Sequence, residues 1–200
     1  MTNQKVLDRL AQVGYPVASL HELRESGTRY KSAVPVLVDA LATPEDLGEL
    51  EAIVRALSVP WAKKEALAPL IDRFRSLPNT GDRRVESVRW AIGNAIEVLW
   101  DDTLYDELVG LLSDRRYGRA REMIVEGTRK SKRPEIVDTL VSLLTDPDVN
   151  GHAVLALARV KVPITGARPG LETMLNDDRS WVRTATVRAL ARAAESEQQR

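Results

Sequence analysis

Apolar positions along this chain recur with a helical period. From Lys31 onward they fall three and four residues apart, and no stretch alternates long enough to read as a strand. The pattern predicts an all-α chain. It also repeats: Leu108-Val109-Gly110-Leu111-Leu112-Ser113-Asp114 returns as Leu140-Val141-Ser142-Leu143-Leu144-Thr145-Asp146, and more loosely as Leu171-Glu172-Thr173-Met174-Leu175-Asn176-Asp177. Anchored at Leu37-Val38, Leu70-Ile71, Leu108-Val109, Leu140-Val141 and Leu171, successive first helices stand 33, 38, 32 and 31 residues apart. Such spacing marks stacked helix pairs, each burying its apolar face only against its neighbours. The long interval holds the polar insertion at residues 76–82, whose Pro78, Asn79 and Gly81 form turns, so it adds a loop.

The second helices carry a ladder of their own: an apolar residue followed at +3, +7 and +8 by small, small and large apolar positions. Val88, Ala91, Ala95 and Ile96 fit it, as do Val182, Ala185, Ala189 and Leu190. Ala52, Ala56 and Leu57 fit its last three places, Tyr117, Ala120, Ile124 and Val125 fit with one larger member, and Val149, His152, Ala156 and Leu157 fit with His for a small residue. Small residues on one face let neighbouring helices approach closely. The organisation expected is a single domain over residues 1–200: a helical cap at 1–30, about five helix pairs at 31–194, and a fraying polar tail at 195–200. Two prolines and two glycines between Val162 and Gly170 shorten the first helix of the fifth pair.

The unit Leu-x-x-Leu-Leu-x-Asp followed by Val-Arg-x-x-Ala-x-x-x-Ala-Leu resembles the HEAT-like repeat family, including the short bacterial type also found in phycobilin lyase subunits. Asp177 with the run Trp181 to Leu190 is the nearest copy. The resemblance implies an α-solenoid, and solenoids serve unrelated tasks. Gly118 and Asn150 depart from the arginine common in the family, and His152 replaces an alanine. By resemblance an arginine after the first ladder residue bonds an acidic residue of a neighbouring repeat. Arg89 and Arg183 stand there, with Asp146, Asp177 and Asp178 as partners.

Composition narrows the function. The chain has 29 basic and 29 acidic residues and no cysteine, so no global field recruits nucleic acid or an anionic membrane, and thiol chemistry is excluded. No run approaches the ~18 apolar residues of a membrane span, and the start lacks an apolar signal core, so a cytoplasmic, monomeric protein is expected. No phosphate loop or metal-ligand spacing occurs, and no cofactor is implied. His21 lies in the cap, and His152 reads as a semi-buried histidine bonded between helices.

Charge is patterned locally. Residues 94–114 contain six acidic and no basic residues, whereas 115–133 hold eight basic against Glu122 and Glu126. These blocks either neutralise one another within a helix pair or leave the basic segment for a ligand. On the ladder, positions +2 and +6 point away from the packing face, which assigns Trp90, Asn94, Arg119, Met123 and Arg188 to a partner-binding surface. The competing place for Trp90 is beneath the loop at 76–82. Trp61, Trp100 and Trp181 read as core or helix-end packing.

The function read from these features is a non-enzymatic scaffold or adaptor that binds a protein partner on the concave face, with no catalytic residues. The alternative is nucleic-acid binding through residues 115–133. The resemblance extends in architecture to DNA glycosylases, whose catalytic Asp with aromatic flanks has one counterpart here, Trp100-Asp101-Asp102. The resemblance alone also implies a bilin lyase or chromophore chaperone.

Overall fold

The computed structural model describes residues 4–198, which are helical and, among these residues, contain no strand. The chain divides into two compact units, residues 1–99 and 100–200. The first holds α1 (Gln4–Gln12), α2 (Leu20–Glu25), α3 (Val34–Ala42), α4 (Leu47–Leu57), α5 (Lys63–Ser76) and α6 (Arg83–Leu99). The second holds α7 (Tyr105–Ser113), α8 (Glu122–Gly127), α9 (Ile136–Leu143), α10 (Asn150–Leu157), α11 (Arg168–Thr173) and α12 (Ser180–Gln198).

Each unit is built of two helical layers. In the first, α1, α3 and α5 stack in one layer and α2, α4 and α6 in the other; in the second, α7 packs on α9, and α10 lies between α8 and α12. The residues read as a cap are therefore a helix pair in register with the layers that follow. All five expected first helices are present. Leu108, Leu111, Leu112, Leu140, Leu143, Leu144 and Leu171 are buried, as the repeated string requires. The ladder is buried at Ala56, Ala95, Ala156 and Ala189, each with no exposed surface. The insertion after α5 is a loop, and α11 is short.

The aspartate that ends each copy of the repeated string caps the turn that follows it. Asp114 accepts from the amide of Arg116, Asp146 from that of Asp148, and Asp177 from that of Arg179, at 3.0, 3.1 and 2.9 Å. Each carboxylate satisfies an amide that the following turn leaves without a backbone partner. Before α4 the same task falls to Asp46, which accepts from Glu49 N at 2.8 Å while Glu49 accepts from Glu45 N.

Two expectations need correction. The third pair lacks a continuous second helix: residues 115–121 form 3₁₀ turns bent at Gly118 (φ 47°, ψ −135°), and α8 begins only at Glu122. Only glycine takes that backbone conformation without strain, so this departure from the family's arginine is itself the break. The tail is not frayed through residue 198. There α12 continues, with the buried Ser196 hydroxyl accepting from Ile164 N and Glu197 pairing with Arg168 at 3.0 Å. Gln199 and Arg200 lie outside the described residues.

Candidate functional site

In the second unit the layer formed by α8, α10 and α12 gathers one group of side chains. Trp181, in the first turn of α12, keeps 41% of its surface exposed. The Arg179 guanidinium lies 5.4 Å from the Trp181 ring centroid, and the His152 ring stands 5.5 Å from it, tilted by 58°. Arg179 is fixed in turn: it bonds Asp177 at 2.7 and 2.8 Å and the side-chain oxygen of Asn150 at 2.6 Å. Gly151 supplies the floor. A Cβ there would collide with Cη2 of Trp181 and come within 3.0 Å of Val182 Cγ2. The glycine at position +2 of α10 thus admits an indole from the next repeat.

His152 is half-buried. Burial holds its imidazole below the ordinary value, with the Arg119 and Arg179 charges acting in the same sense and Glu122 opposing them. The ring is neutral near pH 7. Arg119 lies in the 3₁₀ segment rather than on a helix, and its Nε donates to Glu122 at 2.8 Å. Of the expected surface residues in this unit, Arg119 pairs with Glu122, and its charge acts on His152 without a contact to Trp181. Met123 is half-buried on α8, and Arg188 is exposed on α12, two turns after Trp181.

In the first unit, Trp90 on α6 is 39% exposed. Asn94, one turn later, is half-buried and lines a cavity of about 340 Å³ with Arg24, Tyr30, Arg55 and Trp61. The neighbouring Arg89 is buried and donates to the carbonyls of Phe74 and Leu77 at 3.4 and 2.5 Å, which pins the start of the inserted loop.

Several residues have roles other than those expected. Trp181 is not core. Arg183 does not bond a side chain of an adjacent repeat in the way proposed; it donates to the carbonyls of Asp177 and Asp178, 2.6 and 2.9 Å away in its own repeat. The buried inter-repeat strut is Arg121, which donates to Asp146 at 2.9 Å and to Leu112 O at 3.1 Å. The tryptophan-flanked acidic pair is structural. Trp100 is buried and donates to Asp102 at 2.9 Å, Asp102 accepts from Lys132 N at 2.8 Å, and Asp101 caps the following turn. Burial raises the Asp102 carboxyl, but these donors and Ser131 outweigh it and hold the group below its usual range.

The arginines of residues 115–121 are ion-paired, Arg121 in the core and Arg115, Arg116 and Arg119 on the surface. Arg116 pairs with Asp114 at 2.6 Å, Arg119 with Glu122, Arg121 and Arg115 with Asp146 at 2.9 and 3.5 Å, and Arg133 lies 4.8 Å from the Tyr105 ring centroid. The partners come from the acidic stretch, from α8 and from the following repeat. Among the described residues no helix is long and apolar enough to cross a membrane.

Comparison with known proteins agrees with this construction. Residues 105–191 match the family of HEAT repeats. Among solved structures, the designed armadillo repeat protein YIII(Dq)4CqI superposes with a TM-score of 0.54 at 20% identity, covering 95% of this chain and 92% of that one. No curated protein matches the chain. The chain thus has the all-α fold of a helix-repeat solenoid, and its residues 105–191 match the family of HEAT repeats.

Proposed function

We propose that this chain is a non-enzymatic adaptor that binds a protein segment along its second-helix layers. The observation that carries the reading is Trp181, 41% exposed yet held by Arg179, His152 and the Gly151 floor. A rigid, partly exposed indole beside an arginine gives a partner a large contact at little cost in side-chain entropy, the composition of interface hot spots. Trp90 offers a second aromatic contact in the first unit. Asn94, Arg119, Met123 and Arg188 supply the polar and thioether contacts around these two anchors. A helix or extended segment is the partner form that suits a layer of parallel second helices.

A nucleic-acid partner fits less well. Carboxylates already neutralise Arg115, Arg116, Arg119 and Arg121, which weakens the field that residues 115–133 offer to phosphate. Affinity capture with the wild type, with Trp181→Ala and with Trp90→Ala/Arg119→Glu tests the two readings. The adaptor reading expects one set of captured proteins to be lost with the variants while their melting is unchanged. An identical captured set from all three would overturn it. Salt-dependent retardation of duplex DNA by the wild type would favour the alternative.

A further inference from the structure

Helices α2, α4 and α6 lie side by side, and the ends of α2 and α4 form with α6 a cavity of about 340 Å³. That is the small end of the range of ligand pockets, ~300–1,000 Å³. Part of its wall is apolar: Tyr30 and Trp61 meet edge to face with centroids 5.3 Å apart, and Val59, Ala91 and Val98 extend the surface. The rest carries hydrogen-bond donors, chiefly Arg24, Arg55 and Asn94.

Two features separate this cavity from an ordinary crease between helices. The Nε1–H of Trp61 is buried with no acceptor, whereas buried donors in folded proteins are paired as a rule. Arg55 is held by Glu51 at 2.6 Å, whereas Arg24 makes no ion pair among the described residues, although Glu25 shares the wall with it. One guanidinium without an ion pair and an unmatched indole N–H favour an acceptor that carries one negative charge.

We propose that this cavity binds an apolar carboxylate about the size of one amino-acid residue. The carboxylate recruits Arg24 and Asn94 and accepts from Trp61, while the apolar part lies on Tyr30, Val59 and Val98. Because the Trp61 N–H is covered, its ring turns toward the ligand on binding, and its NMR signal reports the event directly. The ligand chemistry has two sources, the C-terminal residue of a peptide and a free small acid. The site stands apart from the adaptor surface and shares only Asn94 with it.

The test follows the four indole N–H signals of the isotope-labelled full chain, with Trp61 assigned by its loss in Trp61→Phe. The probes are N-acetyl-leucine, N-acetyl-leucinamide and acetyl-Ala-Ala-Leu with a free carboxyl terminus. Both carboxylates should shift the Trp61 signal, N-acetyl-leucine in about the millimolar range expected for a ligand of about a dozen heavy atoms, and the amide should leave it in place. Arg24→Ala should weaken both carboxylates by about tenfold or more, as loss of a charge-assisted bond does, and Asn94→Leu should also weaken them. Tripeptide binding about tenfold tighter than that of N-acetyl-leucine assigns the site to a chain terminus, and binding no tighter assigns it to a free acid. An equal shift with the amide, no shift with either carboxylate, or unchanged affinity in both variants would overturn the proposal.

Discussion

Replacing Arg121 with Met tests how successive repeats are joined. Arg121 is fully buried, and Asp146 is 1% exposed. Its guanidinium bonds Asp146 at 2.9 Å and the carbonyls of Leu112 and Gly118 at 3.1 and 2.9 Å, and its second terminal nitrogen stands 3.7 Å from Asp148. Methionine fills much of the volume but leaves a buried carboxylate and two carbonyls without that donor. Removing one member of a buried ion pair costs about 3–5 kcal/mol. Arg115, already 3.5 Å from Asp146 through an exposed side chain, can take up part of the loss, so about 3 kcal/mol is expected. At roughly 2–4 °C per kcal/mol for a chain of this length, melting should fall by about 6–12 °C.

The double variant Arg121→Met/Asp146→Leu separates the pair from the packing. It removes the orphaned charge, and an apolar pair of similar volume is often nearly neutral relative to a buried ion pair. Asp146 also accepts from Asp148 N, and losing a cap of that kind costs about 1 kcal/mol. The double variant should therefore lie about 1–2 kcal/mol below the wild type, more stable than Arg121→Met alone. Urea unfolding followed by circular dichroism measures the wild type, Arg121→Met, Asp146→Leu and the double variant. A single-variant cost under about 1 kcal/mol, or additive effects of the two substitutions, would refute a buried strut at this position.

Gly151→Ala should push the Trp181 ring off its floor; the check is a change in tryptophan emission that is absent when the same substitution is made in Trp181→Phe. Ala95→Asp and Ala185→Asp each place a carboxylate at a buried packing position and should each cost about 3 kcal/mol or more in urea unfolding; unchanged unfolding in both would show the ladder register to be wrong. The His152 pKa is lowered in the folded chain, so the unfolded state takes up the proton first and stability falls as pH drops below about 6.5. Asp114, Asp146 and Asp177 are also lowered, so their contribution is present above about pH 4 and is lost as pH falls through their folded values. Melting curves from neutral to acid pH should show both phases, and His152→Gln should remove the upper one alone.

The fold was legible because packing constrains it many times over. A helical period, a string ending in Leu-Leu-x-Asp and small residues at +3 and +7 all demand the same two layers, and Leu112, Ala95 and Ala156 are buried where they demand it. The local break at Gly118 was less accessible. The ladder residues Ala120, Ile124 and Val125 stay buried across it, so the apolar pattern alone carries no sign that the backbone has turned. Arg121, by contrast, could have been found. It stands at +4, the place of Ile92, Ala153 and Thr186, all fully buried, and an arginine there requires a carboxylate in reach.

Trp181 obeys the same arithmetic from the other side. Position −1 is one heptad before +6, so it shares the outward stripe of Asn94, Met123 and Arg188. What the period could not supply is the floor beneath it, since Gly151 and His152 belong to another repeat and meet the indole only after the layers stack. Inward positions are chosen by packing common to all repeats, and their pattern therefore returns along the chain. Outward positions are released from that packing, and their pattern need not return: Trp90, Arg119, Gly151 and Thr184 occupy equivalent ladder places with no common chemistry. On the proposed reading the function of this solenoid is carried by residues that break its repeat, and two of those exceptions, Gly151 and His152, meet at Trp181.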